Sequence, residues 1–388
     1  MEPPPPLGGE VIRLREALAA DNMDAVLLSE PASIRYVSGF SVPPPIGAGA
    51  AFAAGPNLAA VSDRAGALLV SGSEAGAASR RQGTGSLIVY QSFGHFEPMD
   101  GQKEFLAGLT SLLDAVLPSG HGATLGIEPR TLPSVALTFL AERYPKILIH
   151  DATAAIRRAR MIKTPREIAL LRRAAAAADA AQEALLSHSR PGVNELTLWN
   201  ALSGALEAAA GAATPISGEL ISGPRTSVVD YPGGPVDRVL GPGDTIICDI
   251  SPCVDGYYAD CCNTLAVGEP SPDQRRYFHA ARDAWEAAVT MLRPGKRACD
   301  AADAAREAFA RHGLPVAHYT GHGIGAAVNE APRLVEYDQT PIEAGMVFAV
   351  EPGAYAGPGG TTGSRVEKMV LVTADGPEVL SRFAWGIS

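Results

Sequence analysis

Apolar residues in the first 150 positions come in short blocks rather than long runs. "AVLLS", "NLAAVSD", "GALLVSG", "SLIVYQS", "ATLGIEP" and "KILIHDA" each set a few Val, Ile, Leu or Ala residues between polar or turn-forming ones, and "SIRYVSGF" continues the alternation. The amphipathic stretch "VIRLREALAAD" precedes the first block. Short apolar strands spaced by helical or loop segments predict an α/β domain over residues 8–153. Nothing in it has the pattern of a catalytic motif.

Beyond residue 154 the period lengthens. In "IKTPREIALLRRAAAAADAAQEALLSHSRPG", Thr164 is placed to cap a helix, Pro165 takes its first position and Glu167 completes a capping box. Ile168, Leu171 and Ala175 form one apolar stripe, and the helix ends before Arg190-Pro191-Gly192. Further helices are expected over Glu195–Ala210, Gln274–Leu292 and Ala298–His312. "HSRPGVNELTLWNALSGALEAA" and "LRPGKRACDAADAAREAFARHG" share an order, Arg-Pro-Gly and then an amphipathic helix, which predicts two related halves in residues 154–388.

Charged residues then appear where the pattern calls for apolar ones. In "GDTIICDISPCVDGYYADCCNTLAVG" two apolar strands flank Asp255-Gly256, a two-residue hairpin signal. Pairing Val254 with Tyr257 sets Asp249 opposite Cys262, and Asp260 lies two residues from Cys262 on the same face. The two aspartates become diagonal neighbours at about 6–8 Å between Cβ atoms. Buried and unpaired, each costs several kcal/mol, so a proton, a cation or a metal must relieve them. Near the C-terminus "GMVFAVEPGAY" ends an apolar strand at Glu351, and in "GSRVEKMVLV" Arg365 and Glu367 share a face. Between these regions "HYTGHGIGAAVNEAP" carries His318 and His322 among glycines that disfavour a helix, so an irregular strand or loop is expected. Two aspartates, two glutamates and an imidazole make a donor set suited to a pair of divalent ions about 3.5–4 Å apart.

Composition narrows the function classes. The 388 residues, 46% hydrophobic and 19% charged, suit a globular protein of more than one domain. The net charge of -10 and the lack of basic runs argue against nucleic acid. No stretch looks like a signal peptide or a membrane span, so a cytoplasmic protein without membrane contact is expected. The five cysteines, Cys248, Cys253, Cys261, Cys262 and Cys299, show no metal or disulfide spacing and are expected to be reduced thiols, most of them packed in strands.

The segments "CDIS", "YADCCNT", "TGHGIG", "VFAVEPGAY" and "SRVEK" resemble those of the pita-bread metallopeptidases, and "LREALAADNMDAVLLSEPASIRYVSGF" resembles the amino-terminal domain of their aminopeptidase P, prolidase and creatinase branch. The resemblance implies an α+β protein, with a smaller α/β creatinase-like domain (8–153) before a pita-bread catalytic domain (154–388) with pseudo-twofold halves. It implies two divalent metal ions held by Asp249, Asp260, His322, Glu351 and Glu367. The oxygen-rich set leans to Mn2+, with Co2+, Zn2+ and Fe2+ as alternatives. Such a centre provides a bridging hydroxide to attack an amide carbonyl, with Glu351 placed as the base. His318 is implied to contact substrate or the developing oxyanion, or else to hydrogen-bond behind the ligands. Arg365 is implied to stand by the metal carboxylates, as a catalytic group or as charge balance. A homodimer is also implied.

The chain departs from the family's pattern at three places. Asp230-Tyr231 stands where a His-Tyr pair is usual, Asn329-Glu330 where His-Glu is usual, and Lys368 follows the last ligand in place of a small acidic or polar residue. Asp230, Tyr231 and Asn329 are therefore candidate substrate-binding residues. Three functions are expected in this order: a hydrolase resembling Xaa-Pro peptidases acting on a small peptide, a metal-dependent hydrolase or lyase acting on a small, cationic non-peptide, and a non-catalytic binding module.

Overall fold

The computed structural model describes residues 7–41, 54–80, 83, 85–117, 122–229 and 233–387. The chain divides into two compact units, one ending at Arg160 and one starting at Met161.

The first unit is built on a six-stranded sheet, β1 (Ala25–Leu28), β2 (Leu58–Ser62), β3 (Gly66–Ser71), β4 (Ser86–Tyr90), β5 (Thr124–Ile127) and β6 (Leu148–Asp151), in the order β4-β3-β2-β1-β5-β6. β2 runs antiparallel to both β1 and β3, and the remaining pairs are parallel. Strand side chains alternate between two cores, as a period of two requires. Val26, Leu28, Val61 and Val70 pack with the helices Gly9–Ala20, Pro31–Ser38 and Thr153–Met161, whereas Leu27, Leu58, Leu69 and Ile127 pack with Gly101–Val116 and Ser134–Arg143. The expected boundary at 153/154 thus falls at the start of a helix whose Ala155, Ile156 and Ala159 belong to the first core.

One local expectation is corrected. "SIRYVSGF" is not a strand: Pro31–Ser38 is a helix, opened by Pro31 at its first position and closed by Gly39 in the left-handed conformation. Its residues after Pro31 are all buried, polar Ser33, Arg35 and Ser38 included, and the alternation of Ser33, Ile34, Arg35 and Tyr36 imitates a strand's period of two. Glu128 secures the start of this helix, its carboxylate accepting from the backbone N–H groups of Ser29 and Glu30 at 2.7 Å each and from the Ser33 hydroxyl at 2.5 Å. Burial pushes its pKa up against the pull of these donors. Glu128→Ala strips charged acceptors from buried donors and is expected to lower stability by about 3 kcal/mol. Denaturant unfolding that keeps the wild-type midpoint would refute this.

The second unit repeats one plan twice. Helices Pro165–His188 and Glu195–Ala210 accompany β7 (Ile216–Ser222), β8 (Thr245–Val254), β9 (Tyr257–Tyr258) and β10 (Cys261–Ala266), in the order β10-β8-β7 with β9 paired to β8. Helices Pro272–Met291 and Ala298–Arg311 accompany β11 (Gly321–Gly323), β12 (Glu330–Leu334), β13 (Val347–Val350), β16 (Lys368–Thr373) and β17 (Gly376–Val379), in the order β12-β11-β13-β16-β17; β14 (Gly353–Tyr355) and β15 (Gly363–Arg365) form a separate ribbon. The capping box of Thr164 and Glu167 is present.

The Arg-Pro-Gly segments mark the repeat in three dimensions. Gly192 and Gly295 both take positive φ, of 86° and 90°. Two residues on, Asn194 and Arg297 each form a bridge, to Val239 and Pro341. From those bridges the chain turns through Gly243 and Gly345, both at positive φ, into β8 and β13. Asp249 and Glu351 are then equivalent residues, each six past the positive-φ glycine of its half, Gly243 or Gly345, and Asp260 and Glu367 each stand immediately before a strand, β10 and β16. Among the described residues no helix is long and apolar enough to cross a membrane.

Candidate metal centre

Strand register supplies the first two carboxylates. Asp255 and Gly256, at φ 49° and 85°, close the hairpin between Val254 and Tyr257, and Asp249 lies opposite Cys262. Asp260 receives a hydrogen bond from the Ser251 hydroxyl at 2.8 Å. The halves meet at the Cys262–Glu367 bridge, where each backbone N–H donates to the other residue's carbonyl, at 3.3 and 2.9 Å. This contact delivers Glu367 to the aspartates of the other half.

His322 lies in β11 between glycines that permit close backbone approach. A Cβ on Gly321 would collide with the Ala349 carbonyl, and one on Gly323 with that of Ala331. The His322 Nδ1 lies 2.9 Å from the Gly323 carbonyl oxygen, and donation there turns Nε2 toward the carboxylates. Nε2 lies 3.3 Å from Glu351 and 3.5 Å from Asp260. Ligand atoms of Asp260, His322 and Glu367 all fall within 4.8 Å of one another.

Electrostatics make the cluster costly without a cation. Glu367 is buried and neither carboxylate oxygen has a hydrogen-bond partner. Burial, and then the charges of Asp260, Asp249 and Glu351, push its pKa well above the usual carboxylate range. Burial also raises Asp249, against the opposing pull of Arg365. Burial disfavours the charged form of His322, but hydrogen bonds to Asp260 and Glu351 outweigh it and take the imidazole up to about 10. Burial opposes ionisation of Glu351 as well, yet His322 holds it below the ordinary value. A buried carboxylate with both oxygens unpartnered, beside an imidazole nitrogen whose proton a dication would replace, is the chemistry of a divalent-metal site, and the residues fit it.

Behind these donors lies a charged brace, of which only Arg365 and Asp249 are expected from the sequence. Arg365 donates to Asp249 from Nε at 2.9 Å, pairs with Glu219 and reaches the Tyr355 hydroxyl from Nη1 at 3.1 Å. The same hydroxyl lies 3.3 Å from Nε2 of His318, whose Nδ1 is 2.9 Å from the Tyr319 carbonyl oxygen. Glu219 and Tyr355 were not anticipated. Glu219 carries the signal of a carboxylate within the apolar strand "GELIS", in register opposite Asp249, and Tyr355 stands inside "VFAVEPGAY". Asn329 is exposed in the bend before β12, while Asp230 and Tyr231 lie outside the described residues.

Comparison with known proteins agrees with this geometry. Residues 169–374 match the model of metallopeptidase family M24, and residues 11–162 match the creatinase/prolidase N-terminal domain. An Xaa-Pro dipeptidase of Lactobacillus helveticus is 30% identical over 256 residues, covering 65% of this chain and 69% of that protein. The probable dipeptidase PepE of Mycobacterium tuberculosis is 34% identical over 270 residues, covering 68% and 69%. Among solved structures, an Xaa-Pro dipeptidase from Bacillus anthracis superposes with a TM-score of 0.80 at 26% identity, over 97% of this chain and 98% of that one. With the family model spanning more than half the chain and the donor cluster inside it, this protein belongs to metallopeptidase family M24 and carries the creatinase/prolidase amino-terminal domain ahead of its catalytic unit.

Proposed function

We propose that the chain is a metal-dependent Xaa-Pro dipeptidase. The observation that carries the hydrolytic reading is the doubly unpartnered Glu367 carboxylate facing Asp260 and His322. Asp249, Asp260, His322, Glu351 and Glu367 would hold two divalent ions. Bound there, the ions would supply Lewis-acid polarisation of the scissile carbonyl and an activated water at neutral pH. Glu351, ionised and within reach of the donor cluster, takes the proton from the attacking water. His318, oriented through Nδ1 and backed by Tyr355, offers a hydrogen-bonding group to the developing oxyanion. Arg365 holds Asp249 in place and balances its charge.

Dipeptide specificity is supported by the names of the relatives and by Arg333. This residue pairs directly across the β11–β12 ladder from His322, and so shares its face, and its guanidinium sits 5.7 Å from the centre of the Tyr319 ring. An exposed guanidinium beside the imidazole ligand suits the free carboxylate of a dipeptide. Arg333→Ala is expected to raise KM for Xaa-Pro dipeptides about tenfold to a hundredfold, the scale of a charge-assisted hydrogen bond. The same variant should handle C-amidated dipeptides like the wild type; an equal loss on both substrates would overturn the assignment.

The cationic small-molecule reading prompted by Asp230 and Asn329 is less favoured, because the relatives are named as dipeptidases. A panel of Xaa-Pro dipeptides, longer Xaa-Pro peptides and small cationic amides decides it: preferred turnover of the amides would displace the dipeptidase reading. The oxygen-rich donors favour Mn2+ among the candidate ions. Family resemblance supports a homodimer, and five free cysteines suit a reducing cytoplasm.

A further inference from the structure

Lys368 is a lysine buried directly after the ligand residue Glu367. Successive strand residues face opposite sides, so Lys368 projects away from the carboxylate cluster. There Nζ donates to the Phe383 carbonyl at 2.7 Å and lies 4.5 Å from the centre of the Phe383 ring and 4.2 Å from that of Trp385. The ring faces and the carbonyl replace part of the hydration that a buried ammonium loses. Asp179, on the helix Pro165–His188, accepts from the backbone N–H groups of Arg382 and Phe383 at 2.8 and 3.2 Å; burial pulls the Lys368 pKa down, and the charge of Asp179 opposes that shift.

The same carboxy-terminal segment grips both halves of the unit. Leu380 donates its N–H to the Met369 carbonyl at 2.8 Å, and the Met369 N–H donates to the Ser381 hydroxyl at 3.1 Å. On the other half, Asn263 of β10 donates to the Ala384 carbonyl and accepts from the Gly386 N–H, both at 3.0 Å. Trp385 packs edge-on against Trp285 and Phe278. Residues 380–386 therefore tie together β10 and β16, the strands that begin immediately after Asp260 and Glu367.

We propose that Lys368 is a positioning residue: held by the carboxy-terminal segment, it fixes where β16 begins and hence where the Glu367 carboxylate stands. The inference rests on the metal-centre reading. A purely electrostatic role would have the opposite sign, since removing a positive charge near the centre would tighten binding of a dication. Lys368 faces the Phe383 carbonyl on the opposite side of the strand from the carboxylates, whereas Arg365 pairs with Asp249 among them, so loss of anchoring outweighs loss of the lysine charge.

The test uses the full chain, stripped with a chelator and titrated with Co2+ by calorimetry and visible absorption. Lys368→Met is expected to weaken Co2+ binding about tenfold to a hundredfold, the scale for groups that orient metal ligands, and to alter the visible bands. Lys368→Arg should recover most of the affinity. Trp385→Leu, which removes one face of the cage, should cost about fivefold, as for one lost cation–π contact. Glu128→Ala, a destabilised control in the first unit, should bind Co2+ as the wild type does. Wild-type affinity and spectrum, or tighter binding, in Lys368→Met would overturn the proposal; if that variant does not fold, the same result in Trp385→Leu would. A wild-type chain that takes up no Co2+ would sink the metal-centre reading and this inference with it, a result distinct from normal uptake by every variant.

Discussion

Asp260→Ala is expected to lose most of its bound metal and at least about a thousandfold in kcat, because water near neutral pH is a poor nucleophile without an ion to lower its pKa. Asp260 is buried at the mouth of β10, shares the cluster with His322 and Glu367, and is fixed by the Ser251 hydroxyl. Removing it leaves His322 Nε2 with Glu351 as its one neighbouring carboxylate within 4 Å among the described residues. Elemental analysis of gently purified wild type should give more than one equivalent of divalent metal per chain, and the variant far less. Full activity in wild-type protein carrying sub-stoichiometric metal would refute the two-ion centre.

Glu351→Gln separates the proposed proton-transfer role from ligation. The amide is nearly isosteric and keeps an oxygen toward His322, but it cannot accept a proton near neutral pH. Turnover is expected to fall by at least about two orders of magnitude, the contribution of a general base, while KM for an Xaa-Pro dipeptide changes much less. The backbone N–H of Glu351 donates to the Thr320 carbonyl at 2.8 Å, so the side chain's starting point is set by the main chain and survives the substitution. A rise in KM that matches the loss in kcat, or loss of metal from the variant, would assign Glu351 to ligation alone.

Much of this site follows from local rules. The Asp255-Gly256 turn determines the register of β8 against β9 and β10, because only residues tolerant of positive φ close a two-residue hairpin, and that register puts Asp249 and Asp260 on one face. The two Arg-Pro-Gly segments announce the duplicated halves for a similar reason: Gly192 and Gly295 both take the left-handed backbone that admits glycine readily. The capping box at Thr164 and the apolar strands of the first unit were equally legible. "SIRYVSGF" was not, since Ser33, Ile34, Arg35 and Tyr36 alternate polar with apolar in a strand's period of two, and only the fold buries the polar ones in a helix.

What the sequence determined by itself is the inventory: which carboxylates and histidines interrupt apolar strands, and which turns and caps set the register of their own elements. These depend on neighbours a few residues away, where backbone sterics and side-chain periodicity act directly. Tertiary structure alone decided that Glu367 would meet Asp260 across the Cys262 bridge, that Glu219 and Tyr355 would flank Arg365, and that Lys368 would be buried against Phe383 and Trp385. Those contacts join residues far apart in the chain. Their energies come from desolvating charges together in one interior, a quantity that does not exist until both halves have folded against each other.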